Sequence, residues 1–251
     1  MLGTDVLFDK LDDVSHRALH FAAGVGFFDP IVVFASKAVA SQVVVREVLE
    51  NLRDCQRFVF HNDAPAAAGL RGSGFEYLVH AALSVPERDR TFKVRALGDS
   101  PALSSVTLRC SKARFIEATS DIAKLVPGEY GIGRSSFPAV DGVMKRMDGS
   151  VDLVQVTVSE DHGIKHHALQ NIVESLNAEK IQNVRFLWIV PGALFPTFPS
   201  QTFRQRGSTK VHQRPDAALS QIPQYVVAFP EDDGLLKEAA ASTLGNENFV
   251  L

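Results

Sequence analysis

Between Ala139 and Lys165 the chain alternates apolar and polar residues, and it carries polar groups where a buried strand would carry apolar ones. Val154, Val156 and Val158 alternate with Gln155, Thr157 and Ser159, a period of two that predicts a strand with the valines on one face and Gln155 with Thr157 on the other. A shorter run before it sets Asp141 among Val140, Val143 and Met144. Asp148-Gly149 between the runs is a turn signal, so the two form a predicted hairpin. One face of that hairpin is expected to be core and the other free for chemistry, although an ordinary half-exposed strand gives the same alternation.

The pattern elsewhere predicts the rest of the layer. Residues 1–62 read as a mainly helical segment, with Val45, Val48, Leu49 and Leu52 on one helix face. HNDAPAAAG marks a loop or linker around Pro65. From Gly74, the residues Phe75, Leu78, Val79 and Ala82 form a helical stripe with Glu76 at its edge. Thr91 to Ala96 and Ser105 to Cys110 alternate as strands. GEYGIGRSS imitates a phosphate-binding loop, but Phe137-Pro138 and a strand follow it instead of a helix, so it is read as a glycine loop bordering a cleft. Leu169, Ile172, Val173 and Leu176 space as an amphipathic helix starting near Asp161 or Gly163, with Lys165 in its first turn. VRFLWIVP and QYVVAFP read as buried strands. The expected class is α/β, a mixed sheet flanked by helices, in a domain over 66–230 with a tail over 231–251.

Composition narrows the class without naming a function. With 45% hydrophobic and 22% charged residues in 251, the chain is expected to fold as one large domain, or one domain with an extension. A net charge of −3 excludes a uniformly basic nucleic-acid binder but leaves room for a local basic groove. Cys55 and Cys110 are too few for a zinc ribbon or a disulfide framework and read as core thiols. No run is long enough to span a bilayer and the first residues are acidic, so an intracellular protein with no membrane partner is expected. The sequence leaves the oligomeric state open.

Candidate chemistry centres on the hairpin. An acid on one strand, a polar-x-polar pair at alternate positions of the next and a following lysine resemble the core of the PD-(D/E)xK nuclease superfamily. Pro138 stands three residues before Asp141, and Gln155-Val156-Thr157 falls where that superfamily carries Glu/Asp-x-Lys. QVTVSEDHGIK, with GSGFEYLVHAAL upstream, is more closely similar to the restriction-endonuclease-like domain of Crinkler and retrotransposon-hot-spot effector proteins, over about Gly69 to Pro230. That resemblance implies metal-assisted phosphodiester hydrolysis: Asp141, Glu76 and Gln155 holding Mg²⁺, Lys165 stabilising charge and His162 acting as base or phosphate donor. Gln155 is a neutral ligand and Thr157 cannot replace a lysine.

The resemblance also implies nucleic acid, DNA first, as partner, or a host protein, and a parent effector that is secreted and acts in the host nucleus. Residues 1–62 would then be a remnant of a preceding NTPase or a helical buttress, and the chain a fragment of that effector. Two further expectations come from the residues themselves. Arg204, Arg206, Lys210 and Arg214, with His212 and Phe203 among them, could track phosphates and stack a base. His162 and His166 at helical spacing beside Glu160 or Asp161 could instead ligate zinc, although no H-E-x-x-H is present. A catalytically inactive nuclease-like binder is the remaining alternative, favoured by Gln155 and Thr157.

Overall fold

The strands at the centre of the sheet are the ones whose sequences are apolar on both faces. The computed structural model describes residues 19–23, 30–34, 52–61, 64–98, 103–134, 137, 139–181, 183–204, 217–232, 234–235 and 237–238. In chain order the elements begin with β1 (Leu19–Ala23), β2 (Pro30–Phe34), α1 (Leu52–His61), a 3-10 turn (Pro65–Ala67) and α2 (Ala68–Leu83). There follow β3 (Arg88–Ala96), β4 (Leu103–Cys110), β5 (Lys112–Ile116), α3 (Ser120–Ala123), β6 (Glu129–Gly133), β7 (Gly142–Lys145) and β8 (Val151–Val156). The last are β9 (Ile164–Lys165), α4 (His166–Ala178), β10 (Val184–Pro191), β11 (Phe203–Arg204), α5 (Ala217–Ser220) and β12 (Gln224–Phe229).

Eight strands form one mixed sheet in the order β4-β3-β12-β10-β8-β7-β6-β5. β8, β10 and β12 run parallel, and β6, β7 and β8 make an antiparallel meander. Parallel central strands are covered on both faces and so read as nearly continuous apolar runs, which is what VDLVQV and VRFLWIVP are. Val154 and Val156 join the core under α2, whereas Val151 and Leu153 join the one under α4. The chain is α/β with a large mixed sheet, as the pattern predicts.

Three expectations change. LHFAA and PIVVF pair as the antiparallel strands β1 and β2 inside the segment read as helical. Both are short apolar runs, which periodicity alone does not assign to strand or helix. The helix face drawn through Val45, Val48 and Leu49 lies outside the described residues. EYGIG is the fully buried strand β6, not a loop. Its glycines make room for large neighbours rather than for mobility: a Cβ on Gly131 would meet Ile116 at 3.0 Å. Finally, α2 buries Tyr77, His80 and Ala81 beyond the predicted stripe. Phe60 of α1 packs edge-on against Phe75, so this helix is covered from outside as well as by the sheet.

Candidate functional site

The free face expected of the hairpin does not exist, because every residue of β8 is buried. What opens to solvent is the end of the strand. A cleft of about 370 Å³ lies there, and its lining includes Glu76, Asp141, Gln155, His162 and Lys165. Four separate stretches deliver these side chains. α2 brings Glu76, and its first turns are tied to the segment after β8 by Arg71 Nη2 donating to the Val158 carbonyl at 3.3 Å.

Asp141 and Gln155 meet because of register. Gly142 pairs with Val154 at the end of the ladder and the Asp141 amide donates to the Val154 carbonyl at 2.9 Å, which sets the Asp141 side chain beside Gln155 and Val156. Gln155 Nε2 donates to Asp141 Oδ2, and the Val156 amide donates to the same oxygen at 2.8 Å. A carboxylate only accepts, so the Gln155 amide turns its NH₂ toward Asp141. Gly142 beside it allows a close approach that no other residue would permit: a Cβ there would stand 2.6 Å from the Tyr130 hydroxyl.

Behind the cleft, Tyr130 is fully buried and its hydroxyl lies 2.6 Å from His80 Nδ1. Burial, and after it the charge of Asp141, hold the phenol well above its ordinary range, so it stays neutral. At the front, His162 sets its ring edge-on to Trp188, with centroids 5.9 Å apart. Withdrawal from water, then the nearby Lys165 charge, keep the imidazole below its ordinary value, which favours the neutral base. Thr157 is committed locally: its Oγ1 accepts the Ser159 amide at 3.0 Å.

Lys165 does not lie in the first turn of a helix. α4 begins at His166, Lys165 is its extended N-cap residue, and β9 pairs Lys165 with Arg204 of β11. The zinc expectation loses its basis for the same reason, since His162 lies in a loop and shares no helical turn with His166. Among the described residues no group of three or more His, Cys, Asp or Glu gathers to hold a metal. The pair Asp141 and Glu76 fits a hard cation such as Mg²⁺, which binds through one or two carboxylates and keeps several waters. It does not fit zinc, which takes three or four protein ligands.

Of the basic stretch, Arg204 is ion-paired with Asp161 and its side chain fills the space a Cβ on Gly163 would need. Gly163 has φ of +45°, a second reason for glycine there. Arg206, Lys210, His212 and Arg214 lie outside the described residues. Sequence reasoning missed Tyr130 and His80, and also Gln201 and Gln224, which bond to each other beside His162. No periodicity or spacing flags an isolated glutamine. No protein-family model, no curated protein and no solved structure matches this chain.

Proposed function

We propose that the cleft at the end of β8 hydrolyses phosphodiester bonds of nucleic acid, DNA first, with a divalent metal ion, in a nuclease-like domain of the PD-(D/E)xK kind. The observation that carries this reading is convergence. Two carboxylates, a cation and an imidazole from distant parts of the chain line one cleft of about 370 Å³. The same acid-strand, polar-x-polar-strand and lysine order that resembles the superfamily in sequence supports it.

Asp141 and Glu76 are the residues that would hold the metal. When bound, Mg²⁺ would lower the charge on a phosphoryl oxygen and the pKa of an attacking water. Gln155 and the Val156 amide orient Asp141, so the carboxylate keeps one rotamer before any ligand arrives. His162, kept in its neutral form by burial, takes a proton from the nucleophile. Lys165 supplies the positive charge that the Glu/Asp-x-Lys lysine would otherwise supply, and Thr157, bonded to its own turn, takes no part.

The Gln155 to Asp141 bond also favours a second reading. It uses an oxygen of the principal acid, as expected of a nuclease-like fold that binds nucleic acid or a host protein without cutting. Incubating the full chain with single- and double-stranded DNA and RNA, in Mg²⁺ or in EDTA, separates the two. Mg²⁺-dependent cleavage supports hydrolysis. Salt-sensitive binding without cleavage supports the inactive binder, and neither result leaves a protein-interaction module.

A further inference from the structure

Gln201 is an internal amide with no share in the cleft lining, and yet every hydrogen-bonding position it owns is used. It is 5% exposed. Its Oε1 accepts the His162 amide at 2.9 Å and the Gly163 amide at 3.3 Å, while its Nε2 donates to the carbonyls of Glu160 at 2.7 Å and Pro199 at 3.1 Å. A glutamine amide has two acceptor and two donor positions, so the side chain is saturated. All four partners are backbone groups, and three belong to the four-residue segment that carries His162.

The clamp is anchored in the core. Gln224 of β12 accepts the Gln201 backbone N–H at 3.1 Å and returns its Nε2 to the Gln201 carbonyl at 3.1 Å. The same Gln224 oxygen accepts the indole N–H of the fully buried Trp188 at 3.1 Å, and Trp188 is the ring against which His162 rests. One residue further on, the Ile164 amide donates to the Thr202 carbonyl at 2.8 Å, which fixes the approach to Lys165. A loop of polar residues would otherwise be free to move. We infer that Gln201 is the positioning residue of the site, holding the 160–163 backbone so that His162 and Lys165 face the cleft.

No other side chain reproduces this. Asparagine is one methylene short, methionine fills the space without a polar atom, and glutamate keeps both acceptor positions but has no donor. The role in catalysis rests on the function proposed above; the clamp itself does not.

Amide exchange, ring-to-ring NOEs and steady-state rates on the full chain test it. In the parent the His162 and Gly163 amides should exchange at least about tenfold more slowly than that of Asp161. Gln201→Met should abolish that protection and the NOEs between His162 and Trp188, and lower kcat by about 100-fold with KM changed only a few-fold. Gln201→Glu keeps the two acceptor positions but turns its second oxygen onto the Glu160 and Pro199 carbonyls, so it should lower the protection and kcat as well, and full retention of both would overturn the clamp. Unprotected amides in the parent overturn the clamp, as do unchanged NOEs in a folded Gln201→Met. Lost NOEs with an unchanged kcat overturn the positioning role. If Gln201→Met does not fold, parent exchange and Gln201→Glu decide. If the parent cleaves nothing, the failure belongs to the proposed function, and exchange and NOEs still judge the clamp.

Discussion

Strand β8 has a carboxylate system at each end, and the two are built by opposite rules. At its start, Asp152 is completely buried and meets Arg185 through Nε at 2.8 Å and Nη2 at 2.9 Å, with Arg146 Nη1 at 3.4 Å. At its other end, Oδ2 of Asp141 is held by a neutral amide and a backbone N–H, and the nearby cation Lys165 is exposed. The cleft at the Asp152 end is the larger, about 620 Å³, and both arginines line it. Its guanidiniums are nevertheless turned onto a buried acid. A carboxylate supplied with fixed cations is a structural part. Asp141 has its Oδ2 oriented by neutral donors at the lining of a cleft, and size of cavity does not tell the two arrangements apart.

The largest expected effect is at the structural end. Burial pushes the Asp152 carboxyl above its ordinary range, against the pull of Arg185 and then Arg146. Such a pair adds little over well-packed apolar residues, but removing one partner strands the other charges. Asp152→Ala should therefore cost about 3–5 kcal/mol in urea unfolding. Asp141→Ala, by contrast, removes the acceptor of two donors beside an open cleft, where water can replace it, and should cost about 1 kcal/mol. Equal losses would erase the distinction between the ends.

Next comes the imidazole. His162→Gln should lower kcat by roughly 10²-fold, the usual share of a general base. The sign of its pH dependence is fixed by burial and Lys165: a histidine held below its ordinary value stays neutral to lower pH, so the acid limb of kcat/KM should have its midpoint below about 6.5. A limb at or above that value would mean that another group is the base.

The contrast between the ends was only half legible in the chain. The period of two and the Asp148-Gly149 turn predict β7 and β8, and the apolar runs VRFLWIVP and QYVVAFP are β10 and β12. Asp141, Gln155 and Glu76 were readable because a polar residue in an apolar pattern stands out. That β8 is buried on both faces was not, since the cores under α2 and α4 that cover those faces come from distant sequence. Asp152 escaped notice although it sits in the same run, because its partner Arg185 lies 33 residues away. Gln201 acts through backbone groups, and backbone groups leave no signature in composition or spacing.

A smaller effect sharpens the picture at the Asp141 end. Gly142→Ala would press a methyl group onto the Tyr130 ring and should cost about 1–3 kcal/mol, with part of the loss relieved by Tyr130→Phe. No relief in the double variant would mean that the Tyr130 hydroxyl is not what requires glycine at 142.

The central claim is that the carboxylate at the Asp141 end of β8 works on a substrate, and that the one at the Asp152 end does not. The direct measurement is Mg²⁺-dependent cleavage of single- and double-stranded DNA by the parent chain and by Asp141→Ala at equal folded concentration. The account predicts cleavage by the parent that EDTA stops, and none by a variant that still unfolds close to the parent's midpoint. Cleavage by Asp141→Ala at the parent's rate would contradict it.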